Sequence, residues 1–146
     1  MDEEYDRLKT KVLRYVLYKK RTENEVRQKF AENTGNILEN IIEYLKQEDY
    51  INDRRYIEKS VNEFKALKNM SIKEVKYKLI SKGIKSNLID DYIYNNKESL
   101  LDYEIVSAKN ILMKKANILE QNEIIEYLNK KGYMRESINI ALEDLT

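Results

Sequence analysis

The side chains that could do chemistry in this chain are lysine, arginine, tyrosine, serine, threonine and the carboxylates, because none of its 146 residues is histidine or cysteine. That removes the commonest acid/base group and metal ligand, and with it thiolate nucleophiles and disulfides. Catalysis would need the remaining groups to converge on one point. The adjacent acids Asp90 and Asp91 do not, since neighbours on a helix point about 100° apart. Three isolated glycines, Gly35, Gly83 and Gly132, cannot build a phosphate-cradling loop. What is left is binding chemistry, carried by cations and by twelve tyrosines able to stack or pack. Tyr15, Tyr56 and Tyr92 sit at core-facing spacing, so packing is their expected role. No enzymatic activity, cofactor or metal is expected.

The cations are unevenly placed. Residues 1–50 carry 10 basic and 11 acidic side chains, 51–85 carry 10 and 4, and 86–146 carry 7 and 11, giving −1, +6 and −4 within an overall +1. A basic middle in a near-neutral chain suits local docking on an anionic surface, nucleic acid or acidic protein, and equally suits a solvated lysine-rich face.

The elements that position these charges repeat. Ser71-Ile-Lys-Glu-Val-Lys-Tyr-Lys-Leu-Ile-Ser-Lys-Gly-Ile84 returns 49 positions earlier from Thr22 and 49 positions later from Glu120 to Tyr133. Thr22 and Ser71 are good N-caps, with Glu25 and Glu74 three places on to complete a capping box. Glu120 is a poorer cap, so the third start is expected to be less sharply set. Val26, Val75 and Ile124 share one position, and Phe30, Leu79 and Leu128 share another four residues on, which places both on one buried helical face. Gly83 and Gly132 follow as left-handed helix ends, and in the first copy the glycine falls one place late, at Gly35.

Helices are predicted over 5–19, 23–33, 37–47, 53–68 and 97–115, with Leu8, Val12, Tyr15 and Val16 inward in the first and Tyr56, Ile57, Val61, Phe64 and Leu67 inward in the fourth. The 49-residue period further equates Leu8, Ile57 and Val106, and Tyr15, Phe64 and Met113. Asn33 to Asn36 reads as a turn, Asn52 or Asp53 as the cap of the fourth helix, and Ser86 as the cap of a helix carrying Leu88, Ile89, Tyr92 and Ile93. The expected fold is all-α: three tandem three-helix repeats, helix-turn-helix-like, over about 5–50, 51–96 and 97–146, stacked into an elongated, curved body. The acidic Met1-Asp-Glu-Glu-Tyr5 lacks a basic-then-apolar signal, and no apolar run reaches the ~20 residues of a membrane span, so a cytoplasmic protein is expected; the buried faces look self-sufficient, so a monomer is expected.

The chain resembles the RecX family of bacterial regulatory proteins over nearly its whole length. The resemblance rests on Arg21-Thr-Glu-Asn-Glu-Val-Arg-Gln-Lys-Phe30, Asp49-Tyr-Ile-Asn-Asp-Arg-Arg-Tyr56, Lys78-Leu-Ile-Ser-Lys-Gly-Ile84 and Tyr127-Leu-Asn-Lys-Lys-Gly-Tyr133, in that order and spacing. Family members usually carry a proline after the arginine of the first repeat, a glycine where Asp49 stands, and often Phe where Tyr56 and Tyr133 stand. The resemblance implies a partner, the RecA recombinase, an ATP-dependent protein that polymerises on single-stranded DNA. It implies modulation of that filament's recombinase, ATPase and co-protease activities, with a sign that does not carry over between members. Arg54, Arg55, Lys73, Lys76, Lys78 and Lys82 are the residues expected to supply the face toward the filament or DNA.

Two other readings stay open from the residues alone. One is a helix-turn-helix-like DNA-binding protein, although Asp90 and Asp91 in one third helix and Glu136, Glu143 and Asp144 in another argue against base-specific reading. Any duplex or single-strand binding is then expected to be salt-sensitive and indifferent to sequence. The other is a generic helical-repeat scaffold.

Overall fold

The computed structural model describes residues 2–33 and 35–146, and its regular elements among them are all helices: α1 (Asp2–Tyr18), α2 (Glu23–Lys29), α3 (Asn36–Gln47), α4 (Asp53–Leu67), α5 (Ile72–Ser81), α6 (Ser86–Asn95), α7 (Lys97–Lys115), α8 (Gln121–Lys131) and α9 (Arg135–Asp144). Met1 and Thr34, the latter inside the turn expected at Asn33 to Asn36, lie outside the described residues. No described helix is long and apolar enough to cross a membrane.

Each consecutive helix triplet encloses its own apolar cluster. Leu8, Val12, Val26, Ile41 and Leu45 lie in the first, Ile57, Val61, Val75, Leu79 and Ile89 in the second, and Ala108, Ile111, Ile124, Leu128 and Ile138 in the third. The first two are closed by a residue borrowed from the chain that follows, Ile51 for the first and Leu100 for the second. The exposed surface is 9618 Å². A compact monomer of 17.5 kDa would expose roughly 7,900 Å², so the three clusters are strung out rather than gathered around one centre.

The stringing is done by helix ends. The Thr22 and Ser71 hydroxyls accept the N–H of Glu25 and Glu74 at 3.1 and 3.0 Å, and the two carboxylates accept the cap N–H in return, both at 2.9 Å. Each hydroxyl still has its proton. Thr22 Oγ1 donates it to the carbonyl of Lys82 at 2.8 Å, and Ser71 Oγ donates to the carbonyl of Lys131 at 2.7 Å. So the start of α2 meets the end of α5, and the start of α5 meets the end of α8, positive dipole end against negative. Lys82 Nζ lies 3.9 Å from Glu25, and Lys131 Nζ 3.2 Å from Glu74, so an ion pair is repeated with the hydrogen bond.

The same joints need their glycines twice over. Gly83 and Gly132 have φ of 81° and 94°, and a Cβ at either would come within 2.1 Å of Asn24 or 2.8 Å of Lys73 on the abutting helix. Gly35, one place out of register, has a positive φ but nothing within 4 Å of such a Cβ.

Several sequence expectations are corrected. α2 stops at Lys29 rather than Asn33, because Ala31 and Asn33 donate to carbonyls three residues back, in tight turns. Ser86 is the first residue of α6 and not its cap, a place held by Lys85 with no side-chain bond. Of the two caps offered for α4, Asn52 holds, accepting the Arg55 N–H at 3.0 Å, while Asp53 accepts the Glu23 N–H, also at 3.0 Å. Leu67 is 59% exposed, being the last residue of α4, after which Lys68 turns the chain away in the left-handed conformation. Val106 and Met113 face solvent, and the α7 positions that line the core are Glu104, Ala108, Ile111 and Leu112. The period is 47 there and not 49, since Ile57, Val61 and Phe64 correspond to Glu104, Ala108 and Ile111, and the two extra residues are taken up by the end of α7 and the α7–α8 connection, one each.

The joint hydroxyls give the first testable outcome. Ser71→Ala loses a cap worth about 1 kcal/mol and leaves the Lys131 carbonyl without its buried donor, so urea unfolding should show a loss of about 2–3 kcal/mol. Ser71→Thr, the residue used at position 22, should stay within about 1 kcal/mol of wild type, and Glu120→Ala, at an exposed start, should cost under about 1 kcal/mol.

Candidate partner-binding surface

The six basic residues singled out above come from the start of one helix, the length of the next and the residue after its end. Arg54 and Arg55 open α4, Lys73, Lys76 and Lys78 belong to α5, and Lys82 follows its end. On α5 the buried residues are Val75 and Leu79, so Lys73 lies on the opposite, outer face, with Lys76 and Lys78 on either flank. The structure therefore spreads the six around α5 and the α4 start and does not gather them on one plane.

Four of the six meet carboxylates from flanking segments. Arg55 pairs with Asp49, Arg54 with Asp91 at 3.9 Å, Lys76 with Asp90 at 2.6 Å, and Lys82 with Glu25 at 3.9 Å. Asp90 and Asp91 thus act separately, each toward its own cation. Among the described residues, Lys73 and Lys78 have no carboxylate partner; their ammonium groups lie 6.0 Å from the Tyr77 ring and 5.9 Å from the Phe64 ring. Part of the +6 of the middle segment is thus offset by acids that the sequence assigns to its neighbours.

Between the first and second triplets lies a groove of about 540 Å³, lined by Asn24, Arg27, Asp53, Arg54, Gly83 and Lys85 among others. Its floor is an ion network. Glu23 takes Lys46 Nζ at 2.6 Å and Arg27 Nε at 3.0 Å, and Arg27 also holds Glu39 with both terminal nitrogens. Burial pushes the Glu23 carboxyl up, but the hydrogen bonds from Lys46 and Arg27 outweigh it and hold the group below its ordinary value. Asp53 goes the other way, raised by burial first and by the neighbouring Glu23 and Glu25 charges. Hydrogen bonds from Asn52 and Arg55 hold Asp49 low.

The junction of the second and third triplets is drier. Glu104, fully buried, accepts the N–H of Ile72 with one oxygen and that of Met134 with the other, both at 2.8 Å. Tyr103 donates to the Met70 carbonyl at 2.7 Å, and Ser107 Oγ lies 2.6 Å from the Tyr133 hydroxyl. Burial pushes both phenols up, most at Tyr133. Spacing could not reveal Glu104 as a clamp, since it occupies a position that is apolar in the other two triplets. Among the described residues no group of three or more potential metal ligands converges.

No family model matches the chain. The regulatory protein RecX of Clostridium beijerinckii is 32% identical over 146 residues, covering 92% of this chain and 66% of that protein. That of Clostridium acetobutylicum is 29% identical over 154 residues, covering 99% of this chain and 71% of its own length. The chain belongs to the RecX family. The RecX of Staphylococcus carnosus, 30% identical over 138 residues, is matched along only 52% of its length, so the chain spans about half of some relatives. The fold agrees: the crystal structure of RecX from Lactobacillus salivarius superposes with a TM-score of 0.83 at 24% identity, over 99% of this chain and 98% of that one. A second RecX crystal structure gives 0.77 at 21% identity, over 95% and 73%. The Asp49 position, where the family usually has glycine, has a φ of 64°, the left-handed region that glycine favours and aspartate tolerates.

The Glu23 network has a pH signature. A carboxylate with a depressed folded pKa contributes stability that is fully present above its ordinary value, near 4.5, and is lost as pH falls through the lower folded value. Urea midpoints should therefore fall below about pH 4.5, and Glu23→Gln should flatten that fall while lowering stability at neutral pH.

Proposed function

We propose that this protein is a non-enzymatic regulator that binds RecA, or its filament on single-stranded DNA, and modulates the filament's recombinase, ATPase and co-protease activities. The observation that carries the reading is the match along 99% of the chain to a protein named as a RecX regulatory protein. The shape supports it, because a strung-out body of stacked helices can lie along a filament and touch more than one subunit. On this reading the protein works as a monomer in the cytoplasm and needs no cofactor.

The face toward the partner is the middle triplet, with Arg54, Arg55, Lys73, Lys76, Lys78 and Lys82 as its cations. Within that set Lys73 and Lys78 act outward, since the other four are already engaged by Asp91, Asp49, Asp90 and Glu25. Direct DNA contact, where it occurs, is non-specific and backbone-directed.

The decisive assay is single-stranded-DNA-dependent ATP hydrolysis by the cognate RecA with this protein titrated in. A change at ratios too low to coat the DNA is expected, and its direction gives the sign of regulation. No change at any ratio would defeat the reading. Reversing Lys73 and Lys78 together to glutamate should weaken filament binding about tenfold at low ionic strength, with less effect at high salt and helicity unchanged. Unaltered binding would remove the middle triplet from the interface.

A further inference from the structure

The outer face of α5 differs in kind from its two counterparts. Lys73, Tyr77 and Ile80 stand at i, i+4 and i+7, with Tyr77 59% and Ile80 39% exposed. The same positions in the first and third copies hold Asn24, Gln28 and, in the turn just past α2, Ala31, and then Asn122, Glu126 and Asn129. A helix repeated three times is polar or small on this face twice, and aromatic and aliphatic once. Packing within the chain does not account for it, since the second apolar cluster is built from Val75 and Leu79 on the opposite side. Scattered exposed apolar residues are ordinary, but two on one helical turn, flanked by an uncompensated cation, form an anchor of the kind that dominates protein interfaces.

Resting on the RecA reading above, we infer that the Lys73–Tyr77–Ile80 stripe is the protein-docking anchor, and that it seats in an apolar pocket rimmed by carboxylates on the recombinase, not on DNA. Three observations favour protein over a phosphate backbone. Four of the six cations singled out above pair with carboxylates of this chain, which reduces the positive field they offer to phosphates. Ile80 has no π-face on which a base could stack. Lys73 lacks a carboxylate among the described residues, and its stem lies beside Gly132, which leaves one charge free to complement an acidic rim. Because α5 is tied to α2 by the Thr22 bond and to α8 by the Ser71 bond, the stripe sits on the best-anchored helix of the three.

The test is equilibrium binding of the full chain to RecA filaments on single-stranded DNA, beside binding to the same DNA without RecA. Tyr77→Ala and Tyr77→Ala/Ile80→Ser are compared with Gln28→Ala and Glu126→Ala, which sit on the equivalent faces. Tyr77→Ala should weaken filament binding about 30-fold, the size of an interface hot spot, while the two controls stay within about twofold and DNA-only binding is unchanged. A benzoylphenylalanine placed at 77 should cross-link to RecA, and one at 126 should not, which covers any variant that folds poorly. Wild-type filament affinity in the folded double variant, with no cross-link from 77, would overturn the stripe while leaving the RecA reading intact. An equal loss in DNA-only binding would make it a nucleic-acid surface, and loss of a wild-type dimer would make it a self-association surface; either overturns the inference. Failure of the wild type to bind filaments would contradict the RecA reading, and this inference with it.

Discussion

One hydroxyl with two bonds organises this molecule. At Thr22 and again at Ser71 a fully buried side-chain oxygen accepts an N–H of its own helix and donates to the last carbonyls of another. A helix end leaves groups that must be satisfied, and burying two such ends against each other costs heavily unless each supplies what the other lacks. Serine and threonine are the small side chains that can accept and donate at once. The residue types follow from this: hydroxyls occur at the two starts that meet another helix, and at the exposed start of α8 the position is Glu120, where Glu123 still accepts the cap N–H at 3.1 Å.

The two junctions share this bond but are finished differently. The second adds Glu104, Tyr103, Ser107 and Tyr133 as a buried polar cluster, whereas the first keeps an open groove above an exposed ion network. Satisfied buried networks fix one arrangement, and exposed ion pairs contribute little each. The third triplet is accordingly locked to the second more firmly than the first is, and α5, held at both ends, is the steadiest platform from which to present side chains to a partner.

Much of this was legible in the sequence because it is local. The capping boxes at Thr22–Glu25 and Ser71–Glu74 form as the spacing predicts, Val26, Val75, Ile124, Leu79 and Leu128 are buried, and Gly83 and Gly132 adopt positive φ. What escaped depends on residues far apart in the chain. The second bond of each hydroxyl spans 60 positions. The neutralisation of Arg54, Arg55, Lys76 and Lys82 comes from acids outside the basic segment, so a count of charges along the chain overstated the free field. The register of α7 was misread because Glu104 replaces an apolar residue, and periodicity of hydrophobicity carries no trace of a buried clamp. Tyr77 is one of twelve tyrosines in the sequence, and only its place on the outer face of α5 sets it apart.

The account stands or falls on the claim that the hydroxyl joints make three small clusters behave as one body. Native-state hydrogen exchange at the backbone amides of Glu25 and Glu74, which point at those hydroxyls, tests it most directly. Both should exchange only through global unfolding, with the same dependence on added urea as the core amides of α3. Exchange at either through a cheap, urea-independent opening, while the α3 amides stay protected, would show that the joint is open in solution and contradict the account.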